Sequence, residues 1–95
     1  AVFVNPNFCQ GHRNLGLLAE KRGDRRSAER HLEAATRRCP KVATFYFSLA
    51  NLYCRGHEDA KAEKAYQRCQ SLARATLLGR RCAARVDLAR NGGCQ

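Results

Sequence analysis

Apolar residues recur along this chain at helical spacing, in blocks that each end on a residue able to stop one helix or start the next. Asn7 followed by Gln10 reads as a capping-box start. Gly23 reads as a helix stop, Asp24 as the cap of the following helix, and Pro40 as a second break. The pattern predicts helices near residues 9–21, 25–38, 43–55, 59–73 and 77–90, and so an all-α fold.

A shift of 34 residues lays the first half of this pattern on the second. Leu15 falls on Leu49, Gly16 on Ala50, Ala19 on Tyr53, Ala28 on Ala62 and Leu32 on Tyr66. The period is that of one helix-turn-helix unit. In the first unit His12, Leu15, Gly16, Ala19, Ala28, Leu32 and Pro40 take the Trp, Leu, Gly, Tyr, Ala, Phe and Pro slots of the tetratricopeptide-repeat (TPR) pattern. Tyr46, Leu49, Ala50, Tyr53, Ala62 and Tyr66 take them in the second, where the final proline is missing. On these residues the sequence resembles the TPR family.

The resemblance implies a TPR-like α-α superhelix of two repeats, 9–42 and 43–76. In it bulky residues fill the space between antiparallel helices, and small ones (Gly16, Ala28, Ala50, Ala62) let backbones approach. Pro6 stands 34 residues before Pro40, which makes residues 1–8 the tail of a preceding repeat. Residues 77–95 fit either a partial third repeat or a cap helix. Arg80, Arg81, Arg85 and Arg90 favour the cap, because a stack must end on a polar face.

Composition adds two facts to this picture. A chain of 95 residues holds one domain or part of one, near the size at which staples become useful. Its 18 Lys and Arg against 8 Asp and Glu give a formal charge of +10, which points to an acidic partner, a nucleic acid or an anionic surface. No apolar run approaches the roughly 20 residues that span a bilayer. The sequence opens at Ala1 without a charged leader or an apolar signal segment, as expected of a processed protein or a fragment.

The six cysteines form no CxxC and no finger spacing, so neither zinc nor covalent haem is expected. An even count in a short chain reads as disulfides with fifteen connectivities in an oxidising compartment, or as buried thiols in the cytosol. The TPR resemblance narrows the connectivities. It implies that the start of the first helix lies beside the end of the second, which sets Cys9 against Cys39. It likewise implies that Cys69 meets the following helix at Cys82, and that Cys54 and Cys94 share one end of the stack.

Catalysis has little to work with. His12 takes a core aromatic slot, His31 lies on a charged helix face and His57 in a turn, so none is aimed at a cysteine nucleophile. No cofactor is expected. The TPR resemblance implies instead a concave groove lined by the first helix of each repeat. Here that groove offers Arg13, Asn14, Leu17 and Lys21, then Thr44, Phe47, Asn51 and Arg55, with Arg81 and Arg85 extending it. Arginines around an apolar floor at Leu17 and Phe47 suit a peptide or protein bearing acidic groups. The chaperone-tail clamp of the family does not match, since Leu17 and Ser48 stand where amides are needed.

The expectation is therefore a non-catalytic protein-interaction adaptor, extracytoplasmic if its cysteines are paired. TPR proteins that support pilus, secretin or secretion-system assembly in bacterial envelopes provide the analogy. The alternative is a basic, cytosolic nucleic-acid-binding repeat, although aromatics free to stack on bases come down to Phe47, Phe3 and Phe8.

Overall fold

Local signals at the helix ends account for where the elements start and stop. In the computed structural model, which describes the backbone of residues 6–94 and the side chains of 9–94, these are α1 (Pro6–Lys21), α2 (Arg25–Arg38), α3 (Ala43–Arg55), α4 (Asp59–Leu72) and α5 (Leu77–Arg90). No strand occurs among the described residues.

Asp24 caps α2 by accepting a hydrogen bond from the Ser27 amide at 3.2 Å, and Arg37 and Arg38 complement the negative end of the same helix. Thr76 caps α5 in the same manner, accepting from the Gly79 amide at 3.1 Å. The start of α1 differs from expectation. It begins at Pro6, and Asn7 lies inside the helix rather than at its cap. Proline fits the first helical position because the N–H it lacks has no partner there. Residues 1–5, the remainder of the expected repeat tail, lie outside the described residues.

The 34-residue period extends to individual hydrogen bonds. The Asp24 amide donates to the Ala19 carbonyl and the Glu58 amide to that of Tyr53, both at 2.9 Å. Arg22 to Leu18 is matched by Gly56 to Leu52, and Ala28 to Asp24 by Ala62 to Glu58. Both turns use a left-handed residue at the same place, Gly23 with φ 80° and His57 with φ 61°. Glycine adopts that conformation freely, whereas a histidine is strained in it.

The chain divides into two units, Ala1–Pro40 and Lys41–Gln95. In the first, α1 packs on α2, and the fully buried Ala28, Leu32 and Ala35 supply the apolar contact. At Gly16 a Cβ would stand 2.8 Å from the Leu32 side chain and 3.2 Å from the Ala28 carbonyl, so only glycine admits this approach. Cys9 and Cys39 are bonded, with their Cα atoms 6.3 Å apart, so the start of α1 lies beside the end of α2.

In the second unit α4 packs on both α3 and α5. Leu49, Ala50, Leu52 and Tyr53 of α3 meet Ala62, Tyr66 and Cys69 of α4 and Cys82, Val86 and Ala89 of α5 in a single buried core. The Cys69–Cys82 bond ties α4 to α5, and the Cys54–Cys94 bond joins the end of α3 to the segment just past α5. All three expected cysteine pairs are present, and no cysteine among the described residues is free. No helix among them is long and apolar enough to cross a membrane.

One expected core position is corrected. Leu15 is 50% exposed, although its counterpart Leu49 is only 6% exposed. Leu49 sits on a helix that meets both α4 and α5.

Candidate functional site

The site assembles where α3 and α5, both packed on α4, come into contact. Helical spacing on α5 puts Arg81, Ala84, Arg85 and Leu88 on one stripe. Phe47 of α3 faces that stripe across a hollow of 490 Å³ that these five residues line. Ala84 forms the dip, because bulkier neighbours rise on both sides of it.

Beneath the hollow lies the fully buried Tyr66 of α4, whose ring meets Phe47 edge-on at 6.1 Å. Its hydroxyl donates to the Asn51 side-chain oxygen of α3. Burial pushes this phenol above its usual range, while the nearby Arg85 and Arg55 guanidinium groups act in the opposite direction. The Arg85 guanidinium stands over both rings, 5.9 Å from Phe47 and 6.0 Å from Tyr66. An arginine held over aromatic faces in this way gains about 0.5–1 kcal/mol, and a side-chain hydrogen bond also links it to the Tyr66 hydroxyl.

Phe47, Arg81 and Arg85 are thus brought together, with Asn51 and Arg55 close by through Tyr66. Thr44 lies at the start of α3, exposed, and its carbonyl accepts the Ser48 hydroxyl at 3.2 Å. The remaining expected groove residues belong to α1 in the first unit. Asn14 and Lys21 are exposed there, Arg13 and Leu17 are half-buried, and the Asn14 side chain accepts from Gln10 at 3.2 Å. Phe3 and the Phe8 side chain lie outside the described residues.

Sequence reasoning missed Tyr66, Ala84 and Leu88. Tyr66 takes a core slot in the repeat pattern, and its ring and hydroxyl also support Phe47 and Asn51 from below. The signal for the other two was present, since residues 81, 84, 85 and 88 follow one helical stripe.

The histidines also differ from expectation. His31 does not stand on an open charged face. Its Nδ1 is 3.3 Å from Nδ1 of His12, so the two rings meet between α1 and α2. His12 is held below the usual imidazole range by burial, with His31 and Arg38 adding to the effect. Among the described residues no group of three or more His, Cys, Asp or Glu is placed to hold a metal ion. No protein-family model matches the sequence, and comparison with curated proteins finds no significant match.

Proposed function

We propose that the protein is a TPR-like, non-catalytic recognition module. Its basic face on α3 and α5 binds a peptide or protein segment bearing acidic groups. The observation that carries this reading is the hollow at Phe47. It combines an apolar floor with two arginines, Arg81 and Arg85, that have no carboxylate partner among the described residues. Such a surface recognises by shape and by charge-assisted hydrogen bonds, and needs no reacting group.

Repetition of the hairpin turn at a 34-residue interval supports the TPR-like assignment, as does burial at Ala28, Leu32, Leu49, Ala50, Ala62 and Tyr66. Three disulfides support an extracytoplasmic setting, since thiols stay reduced in most cytosols, and they count against a cytosolic nucleic-acid binder. An adaptor role in envelope or secretion assembly is consistent with a basic face and a small stapled fold.

Random-peptide display on the oxidised full chain tests this. Synthetic copies of the selected peptides should bind at 1:1 stoichiometry and shift amide resonances of α3 and α5. Failure to recover any peptide, together with nucleic-acid binding that collapses steeply as salt rises, would favour the nucleic-acid alternative.

A further inference from the structure

The hollow restricts what its ligand can be, and this inference rests on the reading just proposed. We infer that it takes an internal peptide segment in which a bulky apolar side chain stands two residues from an Asp or Glu. The apolar side chain sits over Ala84, between Phe47 and Leu88, and the carboxylate bonds to Arg81 and Arg85.

Three features lead there. The first is the order of residues along α5, which reads cation, small, cation, apolar at Arg81, Ala84, Arg85 and Leu88. A helix rises about 1.5 Å per residue, so Arg81 lies about 5 Å along the axis from the dip at Ala84. In an extended peptide, side chains two residues apart share a face and stand about 6.6 Å apart. That spacing carries a carboxylate from the dip to the guanidinium groups, whereas adjacent residues point to opposite faces.

The second feature is charge. Arg81 and Arg85 are like charges one turn apart, an arrangement that destabilises a helix until an anion sits between them. Asp87, the sole acidic residue of α5, stands two positions from Arg85 and so on another side of the helix. The third is the fixed position of Arg85 over Phe47 and Tyr66, which leaves less side-chain freedom to lose on binding. Leu88, at 45% exposure, supplies apolar surface that a ligand side chain would cover.

The test uses the oxidised full chain and a fluorescent peptide with blocked termini, carrying the cassette Glu-Ser-Phe-Ser-Glu in a Gly/Ser background. Controls replace Phe by Ser, replace both Glu by Gln, or move Glu directly beside Phe. A further control carries its only carboxylate at a free C-terminus. Each change should weaken anisotropy-measured affinity by about tenfold or more.

On the protein side, Ala84→Trp fills the hollow without altering charge, and Arg81→Gln removes one cation. Each should cost about tenfold, while Arg26→Gln on the exposed start of α2 should cost less than about twofold. Helical circular dichroism and non-reducing mass confirm that the variants are folded. The inference is overturned if the cassette fails to bind, if affinity ignores Phe or Ala84→Trp, or if Arg26→Gln weakens it as much as Arg81→Gln. Display-selected peptides of other composition that still bind α3 and α5 would overturn this inference and leave the recognition module standing.

Discussion

Removing the Cys54–Cys94 bridge as Cys54→Ala/Cys94→Ala should destabilise the second unit more than removing the bridge nested inside it. The outer bond spans 40 residues and encloses the Cys69–Cys82 bond, which spans 13. With the inner bond closed, the outer one constrains 40 − 13 = 27 residues of unfolded chain. Loop-closure entropy for that length corresponds to about 3.6 kcal/mol. Removing the inner bond while the outer stays closed comes to about 2.6 kcal/mol on the same basis.

A unit of this size is expected to have about 3–8 kcal/mol of total stability, so the outer bridge accounts for a large share. Native-state hydrogen exchange measures the effect directly. Core amides of α3 and α4 should lose protection by about 400-fold in the outer variant, and several times less in the inner one. The ranking is the critical result. Cys69 and Cys82 are fully buried, whereas Cys54 and Cys94 are 6% and 2% exposed, so sulfur packing would favour the opposite order. A larger loss in the inner variant, or no loss in the outer, would refute the argument from chain entropy.

Two further outcomes are expected. The first unit should lose stability on acidification, because His12 has a folded pKa below its unfolded value. Its contribution is complete above the unfolded value near 6.5 and is lost as pH falls through the folded one. Urea denaturation between about pH 7 and 5.5 should show this slope, and His12→Phe should flatten it; an unchanged slope would mean that the imidazole contact carries no linkage. In the second hairpin turn, His57→Gly should raise stability by about 0.5–1 kcal/mol, because glycine relieves the left-handed strain at φ 61°. A lowered melting temperature would show that the histidine side chain contributes more than its backbone costs.

Helix ends were legible because their signals are local. Asp24, Gly23 and Pro40 act within a turn of themselves, and α2, α3 and α5 match the expected limits. The start of α1 was not legible from Asn7, because a proline at the first helical position can open the helix before a capping residue does. The cysteine pairing was legible through the repeat pattern, which places distant residues side by side. The His12 and His31 contact depends on hairpin register, which the periodicity of either helix alone does not set. Of the site, Arg81, Arg85 and Phe47 follow from the groove that the TPR resemblance implies. Tyr66 was missed because a core slot conceals the reach of a hydroxyl.

The linear order of the cysteines also sets an order for making the protein. Cys9 and Cys39 both emerge from a ribosome or translocon before Cys54, so the first staple can close while the rest of the chain is still being made. Cys54 must instead wait for Cys94 while Cys69 and Cys82 pass by as closer alternatives. The second unit is therefore the one with closer wrong partners to choose from in an oxidising setting, and correcting such a choice takes thiol reshuffling, a process of seconds to hours that is far slower than helix formation.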